Sequence, residues 1–139
     1  MIGKNNPLNI RTSAAFNWVG QIGSTRGFCD FEDIVFCRRA GLYLLMRSYR
    51  RAGVIRLEDI IKRWAPSSEN DTFAYIRFVC ETTGFKSSMQ LLLDSDFASV
   101  LAAMEIIERG VERSQRPTYY ANAKGSYEYL IDNFKIKRL

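Results

Sequence analysis

Apolar residues recur every three or four positions through most of the chain, which is the spacing of amphipathic helices. We predict a helix over about residues 33–52, because an apolar series keeps this spacing and Gly53 can end it. A second helix is predicted over Leu57–Trp64, since Pro66 blocks its continuation. Charged residues fill most of the remaining positions, so one face of each helix is expected to pack on a core.

A third helix is predicted to follow the second. Asn70 or Asp71 is a suitable N-cap, because a short polar side chain there accepts a hydrogen bond from the first helical turn. The apolar series then continues to about Thr83 and is followed by Gly84.

A fourth helix is predicted to start at an Asp94 or Ser95 cap and to stop near Gly110. The remainder contains Pro117 and is predicted to add only a last helical turn or two over residues 127–134.

The N-terminal segment lacks the helical pattern and is predicted to be irregular or extended. Residues 15–19 and 27–31 are short aromatic pieces that fit the two strands of a small hairpin, and residues 20–24 have the composition of a turn. We therefore predict a mainly α (α+β) fold with about five helices and a small N-terminal hairpin. No repeat or long linker divides the chain, so residues 1–139 are expected to form a single domain.

Composition limits where the protein works. Apolar residues make up 47% of 139 residues, which suits one compact domain with a real core. No stretch approaches the roughly 20 apolar residues of a membrane span, and the N-terminus has no apolar segment typical of a cleaved secretory signal. We expect synthesis in the cytoplasm, with delivery to a virion or to the host cell envelope by other means.

The cysteine and histidine counts narrow the chemistry. The three cysteines, Cys29, Cys37 and Cys80, are odd in number and form no CxxC pair, so we expect reduced thiols. The chain has no histidine, which excludes a Ser-His-Asp triad, a Cys-His pair and the usual zinc sites. Carboxylates, thiols, tyrosines and lysines remain as possible catalysts, and no cofactor or metal is expected.

The formal net charge of +5 fits affinity for a polyanion, such as nucleic acid, an acidic cell-wall polymer or a membrane surface. Five arginines lie in the first predicted helix: Arg38, Arg39, Arg47, Arg50 and Arg51. They occupy several faces, and no nucleic-acid-binding motif accompanies them. A solvated face or a contact with a virion neighbour is therefore favoured over nucleic-acid binding, which stays open as a third alternative.

Several motifs follow one another in a specific order. They are NPLNIR at 6–11, WVG at 18–20, GFCDF at 27–31, IIKRWAP at 60–66, ENDT at 69–72, AYI at 74–76 and IIERG at 106–110.

Over about residues 5–110 these motifs resemble a family of bacteriophage and prophage proteins described as structural or virion proteins. The string RWAP, ENDT and the following Tyr75 is the specific part. Leu8 stands where the family pattern has Gly, and Arg109 stands where it has Asn. We expect residues 111–139 to be a divergent tail. The resemblance implies other virion proteins as partners.

A second resemblance concerns residues 102–110. This segment is similar to the first catalytic helix of lysozyme-like transglycosylases, in which an apolar helix delivers a glutamate at its C-terminal end. In those enzymes the helix comes first, whereas here it comes near the end. The order would suit a circularly permuted lysozyme-like domain, and it implies peptidoglycan as the ligand.

Glu108 is the candidate catalytic residue that this resemblance implies. A muramidase or transglycosylase needs a carboxylic acid that protonates the leaving glycosidic oxygen, and partial burial raises the pKa of such a group. The alternative is a solvated glutamate on an amphipathic helix. Glu105, about one turn earlier, is expected to tolerate replacement by Gln and to serve as a control.

Candidate substrate-binding residues are Trp18, Trp64, Glu69 and Tyr119. Aromatic faces stack on sugar rings, and polar side chains bond hydroxyl groups. The structural alternative for Trp64 is a place in the core, and for the ENDT string it is capping of the third helix, with Glu69 adding favourable charge at the helix N-terminus.

The leading interpretation is a virion-associated protein with a lysozyme-like domain that engages peptidoglycan. The opposing class is a non-catalytic structural or interaction protein of the particle. Whether the domain is an enzyme stays open at this point. An active one would be a peptidoglycan lytic transglycosylase or a muramidase.

Overall fold

The computed structural model describes residues 2–134. Its helices and strands follow in the order β1 (Gln21–Thr25), β2 (Phe28–Phe31), α1 (Ile34–Tyr43), α2 (Leu57–Trp64), α3 (Thr72–Thr83), α4 (Asp94–Arg109) and α5 (Arg116–Phe134). The predicted fold class, mainly helical with a small N-terminal hairpin, is confirmed.

The hairpin differs from the prediction in its first strand. β2 lies where expected, but β1 is formed by Gln21–Thr25 and not by residues 15–19. The chain turns at Gly20, just before β1, and its φ of 80° is a value that glycine adopts readily. The two strands are antiparallel. Arg26 and Gly27 connect them, both with positive φ, as two-residue hairpin turns require.

Helix α1 begins with a regular cap but does not end as a regular helix does. The Asp33 side chain caps it by accepting a hydrogen bond from the Val35 N–H at 2.9 Å. At its C-terminal end the helix continues without a break as a π-helical segment over Leu44–Tyr49. Such segments are rare and occur frequently at functional sites.

The predicted ends of α3 and α4 are mostly confirmed. Asp71 caps α3 by accepting from the Ala74 N–H at 3.1 Å, and Gly84 and Gly110 end the two helices in the left-handed conformation. The predicted cap of α4 is wrong, because Leu93 occupies the N-cap position. The Asp96 side chain, in the first turn of α4, accepts a hydrogen bond from the Leu93 N–H at 2.9 Å. The backbone N–H at the start of this helix therefore has a partner.

Helix α5 is much longer than the predicted one or two turns. Pro117 lies in its first turn, where proline is tolerated because that N–H has no helical partner anyway. Ala123, Tyr127 and Leu130 are buried at helical spacing. The segment after Gly110 is therefore an integral part of the core.

Helix α4 lies at the centre of the molecule. Every residue from Phe97 to Ile106 is buried, so this helix is covered on all sides. Helices α1, α3 and α5 all pack against it. Its C-terminal end, with Glu108, emerges from this core.

Leu8, one of the two departures from the family pattern, is completely buried against α1. A Cβ atom added at Gly41 would lie 2.5 Å from the Leu8 Cδ1, so the two positions fit only because Gly41 has no side chain. We expect Gly41→Ala to lower the free energy of unfolding by about 1–3 kcal/mol, since overpacking outweighs the better helix propensity of Ala.

Gly125, in the middle of α5, is the matched control for this substitution. A Cβ atom there meets nothing within 4 Å. Gly125→Ala should therefore raise the free energy of unfolding by about 0.5–1 kcal/mol. Urea denaturation measures both values, and stabilisation by both substitutions would contradict the close packing of Leu8 on α1.

Candidate functional site

Glu108 lies in the last turn of α4 and is half-buried. The Tyr75 hydroxyl donates to its Oε2 at 2.8 Å, and the Asn9 side-chain amide donates to its Oε1 at 3.1 Å. The same Asn9 amide also donates to the Glu108 backbone carbonyl at 3.0 Å. Both carboxylate oxygens therefore have donors, which hold the side chain in one orientation.

Tyr75 is a permanent donor in this arrangement. Burial, together with the negative charge of Glu108 and the hydrogen bond between the two side chains, raises the pKa of Tyr75 well above its ordinary value. The phenol therefore keeps its proton and donates it in the hydrogen bond to the Glu108 carboxylate.

The N-terminal turn places Asn9 beside Glu108. The Asn6 side chain is fully buried and donates to the carbonyls of Ile10 and Cys29, both at 2.9 Å, while its oxygen accepts from the Ile10 N–H at 2.9 Å. Asn9 itself has a φ of 52°, a left-handed conformation that Asn tolerates better than most residues. Such conformations persist only where the surrounding structure holds them in place, and they cluster at functional sites.

Asn9 also lines a groove of about 210 Å³, which we call the aromatic groove. Its lining includes Asn9, Arg11, Phe16, Trp18, Tyr49 and Trp64. The Trp18 ring stacks on Phe16 with 4.5 Å between ring centroids, and the Trp64 ring meets the edge of Tyr49 at 6.5 Å. Neighbouring rings thus hold both indoles in place.

The structure brings several of the sequence-predicted site residues together. Trp18 and Trp64 both line the aromatic groove, and both are half-buried. Glu69 is exposed and lies 3.8 Å from the Arg11 guanidinium, a residue of the same groove. Glu108 does not line this groove itself, but its carboxylate accepts a hydrogen bond from Asn9, which does.

Tyr119 lies elsewhere, in a buried cluster around Glu105. Its hydroxyl donates to the Glu105 Oε1 at 2.6 Å and accepts from Arg109 at 3.2 Å. Tyr119 is not among the residues that line the aromatic groove.

The expectation that Glu105 is a neutral control position is wrong. Glu105 is completely buried, and Arg38 of α1 donates to both of its oxygens at 2.9 and 3.0 Å. The Tyr119 and Tyr127 hydroxyls of α5 donate to the same carboxylate. Four charge-assisted hydrogen bonds therefore tie α1, α4 and α5 together through one side chain.

The five arginines of the first predicted helix do not form one basic surface. Arg38 is directed toward Glu105, and the Arg47 guanidinium lies over the Tyr43 ring at 5.0 Å. Arg51 is exposed, whereas Arg39 is half-buried. These placements agree with the predicted distribution over several faces.

The thiols and carboxylates of the described residues show no arrangement typical of a metal centre. Cys29, Cys37 and Cys80 are free thiols, and burial raises the pKa of all three. In residues 2–134 no three histidine, cysteine or acidic side chains are grouped to hold a metal ion. None of the helices in that range is long and apolar enough to cross a membrane.

Sequence reasoning missed Asn9 as a site residue and named Tyr75 only as part of the family pattern. Tyr75 is 5% exposed, and its hydroxyl reaches Glu108. The motif at 6–11 contained the signal for Asn9, since asparagine favours turns with positive φ.

The chain is similar to a known bacteriophage protein. No model of a known protein family matches the chain. Protein P5 of Pseudoalteromonas phage PM2 is 35% identical over 129 residues, in a match that covers 90% of this chain and 78% of protein P5. The match is longer than residues 5–110, so it includes part of the segment expected to be divergent. The chain therefore belongs to the family of protein P5 of phage PM2 and is a bacteriophage protein.

Proposed function

We propose that this phage protein is carried in the virion and binds glycan strands of peptidoglycan in the aromatic groove. One observation carries the proposal. Trp18 and Trp64, far apart in the sequence, line the same groove together with Asn9, which is bonded to Glu108. Half-buried indoles offer apolar faces to sugar rings, and the Asn9 amide and the Arg11 guanidinium offer donors to hydroxyl and carboxylate groups.

In this proposal Glu108 is the acid that protonates the leaving glycosidic oxygen. Its place at the end of an apolar helix, half-buried and next to a groove residue, supports this role. The lysozyme-like transglycosylases that the segment 102–110 resembles work with one acid, because the substrate supplies the internal nucleophile. A second carboxylate is therefore not required.

We expect both tryptophans of the aromatic groove to contribute to peptidoglycan binding. Trp18→Ala and Trp64→Ala should each weaken binding to purified peptidoglycan by about 1–2 kcal/mol, or roughly tenfold, because each removes an anchoring aromatic face. Pull-down with insoluble peptidoglycan over a concentration series gives the affinities. Tyr129→Ala, which removes an exposed ring of α5 outside this groove, should leave the affinity unchanged.

Trp64→Ala also distinguishes a groove residue from a core residue. Trp64 is half-buried, so its loss should cost less than the about 3–5 kcal/mol of a fully buried aromatic side chain. Unchanged affinity with a full loss of that size would make Trp64 a core residue and would contradict the proposal.

A second function, a non-catalytic structural protein of the particle, is favoured by one observation. Both Glu108 oxygens already accept hydrogen bonds from protein donors, so protonation of the carboxylate costs one of them. If the wild-type protein neither binds nor cleaves peptidoglycan, this second function replaces the first.

A further inference from the structure

The Asn9 side chain contacts the aromatic groove and Glu108 at the same time. It lines the groove, and its Nδ2 group donates to two atoms of Glu108, the backbone carbonyl oxygen at 3.0 Å and Oε1 at 3.1 Å. Both of these groups accept hydrogen bonds and cannot donate them, so the orientation of the Asn9 amide is fixed. A ligand in the groove can therefore receive an N–H from Asn9 only if a hydrogen bond to Glu108 is given up.

The two donors of the Glu108 carboxylate are held differently. Tyr75, which donates to Oε2, is 5% exposed and packs in the core from α3. Asn9 is half-buried, and its amide oxygen has a long contact of 3.4 Å with the Ile2 N–H. The terminal torsion of an asparagine side chain also covers a broad range of angles. Asn9 is therefore the donor that a ligand can turn away from Glu108.

We infer that a glycan bound in the aromatic groove takes the Asn9 amide away from Glu108, and that the Glu108 carboxylate then takes up a proton. The inference rests on the proposed function and adds how its acid is made ready, since binding of the ligand itself protonates the acid. The acetamido groups of peptidoglycan sugars supply a carbonyl oxygen that accepts from Asn9. Asn9 is thus a positioning residue, and Glu108 is the acid.

The direction of the proton transfer follows from the hydrogen bonds. A donor to a carboxylate stabilises the charged form, so loss of the Asn9 N–H favours the neutral form. The proton comes from solvent and binds to Oε1, the oxygen that Asn9 leaves, while the Tyr75 hydroxyl stays on Oε2. A protonated Oε1 is a donor, and it can pass this proton to the glycosidic oxygen.

Neighbouring charges do not hold Glu108 in its charged form. Both donors of its carboxylate are neutral, and no lysine or arginine of residues 2–134 forms an ion pair with it. The charged groups on the surrounding elements have other partners or are exposed. They are Arg11 with Glu69, Asp71 with the Ala74 N–H, Glu105 with Arg38, Arg109 with the Tyr119 hydroxyl, Arg116 with the Val111 carbonyl, and the exposed Glu112.

Pull-down with insoluble peptidoglycan over a pH series tests the inference, because the change of affinity with pH gives the number of protons that the complex takes up. We expect the affinity of the wild-type protein to rise by about tenfold as the pH is lowered from about 7.5 to about 5.5. Glu108→Gln has no carboxylate to protonate, so its affinity should depend much less on pH. Glu112→Gln replaces an exposed glutamate just beyond α4 and should keep the wild-type pH dependence.

Asn9→Gly separates this coupling from a purely structural role of Asn9. Glycine readily adopts the φ of 52°, so the turn is retained, but Glu108 then lacks this donor before any ligand binds. The variant should therefore lose the same pH dependence as Glu108→Gln. Tyr75→Phe removes the other donor and keeps Asn9, so it should keep the pH dependence. Thermal unfolding confirms that each variant is folded.

The outcomes distinguish this inference from the proposed function. A wild-type affinity that does not rise at low pH, or a rise that Glu108→Gln or Asn9→Gly retains, would overturn the coupling and leave the proposed function standing. Loss of the rise in Tyr75→Phe would also overturn it. If the wild-type protein binds no peptidoglycan at any pH, the proposed function fails, and the coupling fails with it.

Discussion

Glu105→Ala should lower the free energy of unfolding by about 3–5 kcal/mol, because it leaves the Arg38 guanidinium without its counter-charge inside the protein. The Arg38 side chain is only 13% exposed, so water replaces the lost carboxylate incompletely. The substitution also leaves the hydroxyls of Tyr119 and Tyr127 without their acceptor. Urea denaturation, followed by circular dichroism, measures the loss.

A double variant separates the charge from the packing. Arg38→Met combined with Glu105→Leu removes both charges and keeps most of the volume, so it should cost less than Glu105→Ala alone. Glu112→Gln changes an exposed glutamate just beyond α4 and should stay within about 0.5 kcal/mol of the wild type. A loss below about 1 kcal/mol for Glu105→Ala would show that the cluster does not hold α5 against α1 and α4.

Local signals explain which parts of the fold were predictable from the sequence. Asp71, Gly84 and Gly110 act within one helical turn of their own position, so their roles as caps and stops follow from residue type alone. The start of α4 was missed because Asp96 serves from inside the first turn, where Asp94 and Ser95 looked more suitable. The length of α5 was missed because Pro117 was taken as an interruption.

The partners of Glu105 and Glu108 are distant in sequence, and this is why the roles of these two residues were not predictable. Arg38 lies 67 residues before Glu105, and Asn9 lies 99 residues before Glu108. One local signal for Glu105 did exist. It is the one charged residue in a run from Phe97 to Ile107 that is otherwise apolar except for Ser99, and a charge in such a place needs a partner.

The aromatic groove depends on tertiary structure in the same way. Residue type alone made Trp18 and Trp64 candidates for sugar binding, but only the packing of the N-terminal segment against the π-helical segment brings them to one groove. Tyr119 had the same chemistry and lies in the Glu105 cluster. Residue type therefore identifies candidate aromatic residues for sugar binding, and only the fold shows which of them line the groove.

Glu108→Gln should lower the release of soluble fragments from purified peptidoglycan by about 100-fold or more, because it removes the proton donor and keeps the shape of the side chain. The new amide places an N–H₂ group opposite one of the donors Tyr75 and Asn9, so thermal unfolding must confirm that the variant is folded.

Glu112→Gln replaces Glu105→Gln as the control, since Glu105 supports the fold. Tyr75→Phe keeps the carboxylate and removes one donor, so it should retain part of the activity. Products that end in an anhydro sugar would identify a transglycosylase, and reducing ends would identify a hydrolase. Wild-type protein that binds peptidoglycan but releases nothing from it would contradict the catalytic role of Glu108 and leave the groove as a binding site of the virion.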